Sequence, residues 1–398
     1  MRKNFWTAGH LPTLASSFLY FDLSFAVWVI LGPLGVLIAK DLGLNAAQKG
    51  LMVATPVLAG AFLRIANGAL AQHFGPKSAG ILAQIIVIAG LSFAWLAGIH
   101  DFSEILALGL VLGVAGASFA VALPLASQWY PPEHQGTALG IAGAGNSGTV
   151  LASLFAPGLA VLFGWKNVLG LAVLPLVVVL ALFIVMAKDS PSTPKRTPLR
   201  EYLKVLAVAD AWLLMFFYSV TFGGFVGLAS SLPMYFSDQY GLSPVNAGYV
   251  TAACVFIGSM LRPIGGAIAD RIGGMRTLSV VYLIAAAALA ATASGLPTTS
   301  AALAAFATAM GAFGMGNGAV FQLVPQRFQR EIAIMTGLVG MAGGVGGFYL
   351  AASLGSAKQF TGSYMLGFGL FAVLALVAWC GVTTVKPRWR AAFAQAQA

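Results

Sequence analysis

Twelve apolar stretches, each long enough to cross a bilayer as a helix, constrain the fold of this chain more than any other feature. A helix that spans the hydrocarbon core needs about 20 predominantly apolar residues. Only 8% of the 398 residues are charged, against about 25% in soluble domains, so lipid must solvate much of the surface. The sequence predicts an all-α membrane protein in a lipid bilayer, with spans at 13–38, 48–72, 78–99, 104–129, 136–162, 166–187, 210–236, 245–269, 277–295, 299–323, 333–356 and 363–385.

One polar stretch divides the twelve predicted spans into two groups of six. It reads KDSPSTPKRTPLREYLK over residues 188–204, and its prolines and charges interrupt the hydrophobic pattern. We predict an N-terminal six-helix half over 1–187, a cytoplasmic linker over 188–209 and a C-terminal six-helix half over 210–398.

Basic residues lie mainly on one side of the predicted spans, and this asymmetry predicts the orientation. Cytoplasmic loops of membrane proteins carry an excess of lysine and arginine. With the N-terminus inside, fifteen of the 21 basic residues lie in cytoplasmic segments and four in outer loops, namely Lys40, Lys49, Lys166 and Lys358. We therefore expect a multi-pass protein of the bacterial inner membrane with both termini in the cytoplasm. The net charge of +10 follows from this topology and not from nucleic-acid binding.

The composition also argues against several classes of function. The two cysteines, Cys254 and Cys380, lie far apart in apolar stretches, which argues against a disulfide framework or a zinc site. No phosphate-binding loop of the GxxxxGK[ST] type is present, so direct coupling to ATP is excluded from this chain. The spans contain no convergent acid–base, nucleophile or metal cluster, so we expect neither an enzyme nor a bound cofactor.

The two predicted halves repeat one another in sequence. Residues 63–75 read LRIANGALAQHFG and residues 261–273 read LRPIGGAIADRIG, an offset of 198 residues. Two glycines of span 4 recur at the same offset in span 10. Transporters built from such repeats bind substrate between the repeats near the bilayer midplane. The repeat therefore predicts a central substrate site, with alternating access by rocking of one half against the other.

Two arginines occupy matching positions in the middle of the second and eighth spans, Arg64 and Arg262. A charged residue at the centre of a membrane helix costs about 2.5–3.5 kcal/mol on insertion scales, so both are expected to face an internal cavity. Asp22 is the one acidic residue deep in a predicted span. Two cations with at most one anion favour a site for an anion, because guanidinium offers forked donors that match oxyanions. A structural role, in which each arginine pairs with a buried acid, remains the alternative.

Glycine-rich runs mark the fifth and eleventh spans, at 140–148 and 337–347. Small residues allow membrane helices to pack closely. Glycine also weakens a helix, and its missing side chain lets a very small ligand approach the backbone. The pattern supports both explanations equally, and on the second one Gly143 and Gly343 are candidate substrate-binding positions.

Separate motifs along nearly the whole chain resemble the nitrate/nitrite porter family of the major facilitator superfamily, in its short, twelve-helix form. That family carries an arginine in helices 2 and 8 and a glycine-rich signature in helices 5 and 11, and this sequence has all four. The stretches at 218–227 and 314–325 are also similar to the family. The loop at 266–276, with Asp270 and Arg271, looks like the superfamily's gating loop, whereas its first copy has Gln72-His73 in place of Asp-Arg.

The resemblance implies a major facilitator fold, with roles for individual residues. Arg64 and Arg262 would clamp nitrate or nitrite from the two halves, and Asn146 would donate a hydrogen bond. Phe119, Tyr218 and Phe222 match aromatic positions that sandwich the flat anion, with ordinary core packing as the alternative. We assign Phe25 and Trp28 of the first span to the core.

The remaining question is how transport is coupled to an energy source, and Asp22 is the candidate residue for coupling to protons. A carboxyl in a membrane span is a functional candidate by default. Asp22 would carry a proton in a symport cycle, or serve as a static counter-ion of an arginine or a polar contact between helices. The short form resembles the proton-coupled importers more than the nitrate/nitrite exchangers, so we expect symport ahead of antiport. Alternative functions are a carrier of another small anion, such as a carboxylate, and an anion channel or receptor on this fold. A monomer suffices for any of them.

Overall fold

The computed structural model describes the backbone of residues 5–191, 199–328 and 331–397, and this part of the chain is helical without strands. It contains the twelve predicted spans. The helices are α1 (Phe5–Ala8), α2 (Leu11–Trp28), α3 (Leu31–Asp41), α4 (Ala46–Phe74), α5 (Pro76–Ala97), α6 (Phe102–Gly116), α7 (Phe119–Ser127), α8 (Pro132–Gly143), α9 (Gly148–Phe163), α10 (Trp165–Met186), α11 (Leu199–Leu206), α12 (Ala209–Tyr240), α13 (Pro244–Ile272), α14 (Gly274–Ala293), α15 (Thr299–Arg327), α16 (Ile332–Thr361) and α17 (Met365–Gln397). The prediction of an all-α membrane protein with twelve spans is confirmed.

Three of the first six spans are broken in the middle. Span 1 consists of α2 and α3, span 4 of α6 and α7, and span 5 of α8 and α9 joined by a 3₁₀ turn at Ala144–Ser147. Their counterparts in the last six spans, namely span 7 (α12), span 10 (α15) and span 11 (α16), are each one continuous helix. The sequence repeat therefore produces an unequal pair of halves, because the first half alone carries interrupted helices at mid-span.

The ends of the bundle differ in how the two halves meet. We call the end with α11 and the start of α2 the linker end, and the end with the turns near residues 42–45 and 362–364 the far end. At the far end α3 packs against span 7 and α9 against span 8. Gly50 and Gly355 let spans 2 and 11 cross there, since a Cβ on Gly50 would lie 2.8 Å from the Cα of Gly355.

Among the described residues, the hydrogen bonds that join the two halves also lie mainly at the far end. At the far end Lys49 forms an ion pair with Asp238 at 3.3 Å, and the Ala46 N–H donates to Gln359 Oε1 at 3.1 Å. A third bond, from Arg64 to the carbonyl of Gly340, lies near mid-span. The principal packing partners of α7 and α8 are in their own half. The halves are therefore closed against each other at the far end and part towards the linker end.

At the linker end each half is tied together separately. In the second half Asp210, at the start of span 7, pairs with Arg327 of span 10 and with Arg388 of span 12. In the first half the Trp129 indole donates to the carbonyl of Lys188 at 2.7 Å. At the linker end these bonds therefore join spans of the same six-helix group.

The linker predicted over 188–209 contains one short helix, α11, which the sequence analysis did not anticipate. The rest of that interval includes residues 192–198, which lie outside the described chain, as do the basic residues Arg2, Lys3, Lys195, Arg196 and Arg330. Asp270 and Arg271, the predicted gating loop, are exposed at the linker end of span 8. Neither forms an ion pair with any other described residue, in keeping with the parted halves there.

Candidate functional site

Arg64 is fixed by two backbone carbonyls at the centre of the bundle. Its side chain is 2% exposed. Nε donates to the carbonyl of Gly116 in span 4 at 3.2 Å, and Nη1 donates to the carbonyl of Gly340 in span 11 at 2.5 Å. Nη2 is buried and has no hydrogen-bond partner. No acidic side chain of the described residues pairs with Arg64, so a full positive charge and the free donor group Nη2 remain inside the protein.

Aromatic rings surround the Arg64 guanidinium. Its Cζ lies 5.4 Å from the centre of Trp28, 5.4 Å from Phe119 and 5.1 Å from Phe222. Ring faces attract a cation and bring no counter-charge that would neutralise it. The Trp28 indole donates to the carbonyl of Pro56 at 2.7 Å, which fixes its position. Trp28 therefore lies at the arginine as well as in the core to which we assigned it.

Arg262 approaches the same aromatic group from the second half. Its Cζ lies 5.8 Å from the centre of Phe321 in span 10. Its Nη1 is buried without a partner, and no described acid pairs with it. Arg262 is half-buried, in contrast to Arg64. The second arginine therefore also offers a free donor, and it lacks the carbonyl bonds that hold the first.

Four rings link the two arginines into one site. Tyr218 stacks on Phe222 with centroids 5.2 Å apart and planes 8° apart. Phe321 lies edge-on to Tyr218 at 5.0 Å and tilted against Phe119 at 6.0 Å. Tyr218 lies near both guanidinium groups, and its hydroxyl is within hydrogen-bonding reach of the Arg262 side chain. Phe119, Tyr218 and Phe222 were predicted from the sequence, whereas Phe321 was not, although it lies in the 314–325 stretch that is similar to the family.

The two candidate glycines have different surroundings. A Cβ on Gly343 would lie 2.6 Å from Cδ1 of Tyr218 and 2.9 Å from Cδ1 of Phe222, so this glycine provides the space into which the ring pair packs. A Cβ on Gly143 would meet nothing within 4 Å. Span 11 therefore needs its glycine for packing, whereas span 5 has open space beside its own.

Asn146 lies in the 3₁₀ turn that breaks span 5, at 2% exposure. Its Oδ1 is buried and has no partner. In the described part of the chain its side chain forms no hydrogen bond with Arg64 or Arg262. Asn146 thus remains an unsatisfied polar group in the first half, separate from the carbonyl bonds that hold Arg64.

Asp22 lies where span 1 packs against the broken part of span 5. It is 5% exposed and accepts a hydrogen bond from the Ser147 hydroxyl at 2.7 Å. No ion pair joins Asp22 to an arginine or to any other described base. Of the two static roles considered above, the polar contact between helices is present and the counter-ion is absent. The carboxyl therefore does not neutralise the site.

The site is thus a pair of cations, one buried and one half-buried, with free donors, enclosed by rings and without a compensating acid among the described residues. The Major Facilitator Superfamily model matches residues 16–351 of the chain. The chain belongs to this superfamily. Two solved structures of a bacterial homologue of the human lysosomal transporter Spinster share the fold. The inward-facing and occupied form has a TM-score of 0.73 and 19% identity, covering 94% of this chain and 96% of that one.

Curated relatives identify the branch of the superfamily. The "Probable nitrate/nitrite transporter NarK2" of Mycobacterium tuberculosis is 34% identical over 92% of this chain and 94% of its own. The "Nitrite extrusion protein" of Bacillus subtilis is 32% identical over 88% of each chain. The "Probable nitrate transporter NarT" of Staphylococcus carnosus is 34% identical over 89% of this chain and 91% of its own. The resemblance to the nitrate/nitrite porter family is confirmed, and the chain is a multi-pass transporter and not an enzyme.

Proposed function

We propose that this chain is a secondary active transporter that moves nitrate, and also nitrite, across the bacterial inner membrane. The observation that carries the proposal is the pair of unpartnered guanidinium donors, Arg64 Nη2 and Arg262 Nη1, at one aromatic group. A buried charge without a partner is costly, and a bound anion would remove that cost at both arginines. The names of the relatives supply the identity of the anion.

The shape of the site favours a small planar anion. Nitrate is flat and weakly hydrated, so ring faces can flank it while guanidinium forks meet its oxygens in the plane. Tyr218 and Phe222 are nearly parallel, and Phe119 and Phe321 restrict the remaining space. A larger carboxylate would need more polar donors and fewer enclosing rings. Transport of another small anion is therefore the second candidate.

The way in which the halves meet supports transport by alternating access. The excess of lysine and arginine at the linker end supports its assignment to the cytoplasm. The closed far end, with the Lys49–Asp238 ion pair, then faces outwards, and the conformation is inward-facing. Transport requires this far-end contact to break and the linker end to close.

We propose proton-coupled symport with Asp22 as the proton carrier. Of the eleven acidic residues, Asp22 alone lies away from the span ends. It is buried and unpaired by any described base, so its charge is free to change during the cycle. Antiport of nitrate against nitrite is the alternative, and a relative from Thermus thermophilus is named "Probable nitrate/nitrite antiporter NarK1".

Uptake of nitrate into proteoliposomes tests the proposal. One set of vesicles receives an inward proton gradient, and a second set contains nitrite. Uptake driven by the gradient alone is the expected result, and uptake only against internal nitrite would replace symport with antiport. Arg64→Ala should abolish uptake in both sets, whereas Arg200→Ala, at an exposed position of the linker helix α11, should leave it intact. Movement of acetate or formate in place of nitrate would support the second candidate.

A further inference from the structure

A second polar side chain of span 2 binds the same break in span 4 as Arg64. Asn67 lies one helical turn after Arg64 and is 5% exposed. Its Nδ2 donates to the carbonyl of Ala117 at 3.2 Å, while Arg64 Nε donates to the carbonyl of Gly116. Two consecutive carbonyls of span 4 therefore accept from two side chains of span 2.

The break makes these carbonyls available. At Ala117 the chain changes from helical bonds to tighter turns, since the Ala120 N–H bonds Ala117 O at 3.1 Å and the Val121 N–H bonds Ser118 O at 3.0 Å. The Ala120 N–H, the donor to the carbonyl of Gly116 in a regular helix, thus bonds Ala117 O. A buried carbonyl needs a hydrogen-bond donor. Arg64 donates to Gly116 O, and Asn67 adds a side-chain bond to Ala117 O.

The second half provides an internal comparison. Gly265 occupies the position 198 residues after Asn67, and Met315 that after Ala117. A Cβ on Gly265 would lie 2.6 Å from the carbonyl carbon of Met315, so the span 10 backbone fills the space of the Asn67 side chain. Span 10 is continuous there. Arg262 correspondingly has no carbonyl bond among the described contacts.

We propose that Asn67 is a positioning residue for the anion site. It holds the break in span 4, so that Gly116 O fixes Arg64 through Nε and leaves Nη2 free for the anion. The same break places Phe119, the first residue of α7, 5.4 Å from the Arg64 guanidinium. Without the Asn67 bond the segment relaxes towards a continuous helix, and both Arg64 and Phe119 shift. This inference rests on the proposed function, because it concerns the affinity of that same site.

Nitrate kinetics of three variants in proteoliposomes test the inference. Asn67→Leu keeps the approximate volume and removes the donor, and Asn67→Gln keeps an amide. Gln84→Leu is the matched control, because Gln84 accepts a buried bond from Ser24 at 3.2 Å elsewhere in the same half. We expect Asn67→Leu to raise the KM for nitrate about tenfold, the scale set by the loss of one buried hydrogen bond. Its kcat should stay within about twofold of wild type, because weaker binding of substrate raises KM alone.

The remaining outcomes separate this inference from the proposed function. Partial recovery of KM by Asn67→Gln, with an unchanged KM in Gln84→Leu, would support positioning by the amide. A wild-type KM in Asn67→Leu, or an equal rise in Gln84→Leu, would overturn the inference and leave nitrate transport standing. Failure of the wild-type protein to take up nitrate would instead overturn the proposed function, and the inference with it.

Discussion

The Arg64 guanidinium donates a hydrogen bond to the carbonyl of Gly340 in the other half of the molecule, at 2.5 Å. This bond lies between the far-end contacts and the parted linker end, and it belongs to the same guanidinium that offers a free donor to the site. An anion at Arg64, as we propose, would therefore bind to a group that also joins the two halves. In the proposed cycle, binding and the rocking motion would share one residue.

We predict that replacing Arg64 by lysine raises the KM for nitrate by about tenfold or more. Lysine keeps the charge but has no planar fork. It therefore cannot donate to Gly116 O, Gly340 O and an anion in the directions in which the Arg64 guanidinium donates. Hydrogen bonds of charged groups contribute about 1.5–3 kcal/mol each, which sets this scale. Nitrate uptake kinetics measure the effect.

The matched variant is Arg262→Lys, and we expect it to raise KM less than Arg64→Lys. Arg262 has no carbonyl bond to lose among its described contacts, so only its interaction with the anion changes. An equal rise in KM in Arg262→Lys and Arg64→Lys would contradict the unequal roles that we assign to the two arginines.

The sequence predicted the spans, because lipid imposes a length and an apolar composition on each of them. It also named the two arginines and three of the four rings that lie together in the structure. The breaks in spans 1, 4 and 5 were not predicted. Bonds between different spans stabilise them, and such bonds are not visible in the local sequence. The donor from Asn67 to Ala117 O is one example. Trp28 was assigned to the core for the same reason, because its contact with Arg64 depends on how span 1 meets span 2. Which end is closed depends on contacts between halves, and no single span encodes them.

Alanine substitution of Gly343 and of Gly143 compares a glycine that is needed for packing with a glycine that faces open space. Gly343→Ala should reduce nitrate uptake at least about tenfold, because its methyl group would displace Tyr218 and Phe222, and overpacking costs about 1–3 kcal/mol. Gly143→Ala should keep near wild-type uptake, since its methyl group meets nothing within 4 Å. Membrane insertion, measured by the yield of folded protein, should be equal in both. Reversal of the two activities would show that the ring pair does not depend on Gly343.

The Lys49–Asp238 ion pair is expected to stabilise the conformation that is closed at the far end. It joins the halves at 3.3 Å, with both side chains about a quarter exposed. Partly exposed pairs contribute about 0.2–1 kcal/mol, so Lys49→Ala should shift the conformational equilibrium up to about fivefold towards opening at the far end. Lys166→Ala is the control, because Lys166 pairs with Asp41 at the same end but within the first half.

Spin labels at Lys40 and Ser300 measure that shift, because both residues are exposed at the far end and lie on opposite halves. The labelled protein needs Cys254 and Cys380 replaced, since both are free thiols. The long-distance population should grow in Lys49→Ala and stay unchanged in Lys166→Ala. Equal distance distributions in the labelled wild type, Lys49→Ala and Lys166→Ala would show that the ion pair does not affect the conformational equilibrium.

Asp22→Asn should separate proton coupling from nitrate translocation. Asparagine can still accept the hydrogen bond from Ser147, which lies at 2.7 Å, but it cannot take up and release a proton. We expect the variant to lose nitrate uptake driven by a proton gradient while it retains exchange of labelled for unlabelled nitrate, because exchange needs no net proton movement. Ser147→Ala is the control, since it removes the contact between spans 1 and 5 and keeps the carboxyl, so both activities should persist. Gradient-driven uptake at the wild-type rate in Asp22→Asn would assign Asp22 to helix packing and place the coupling elsewhere.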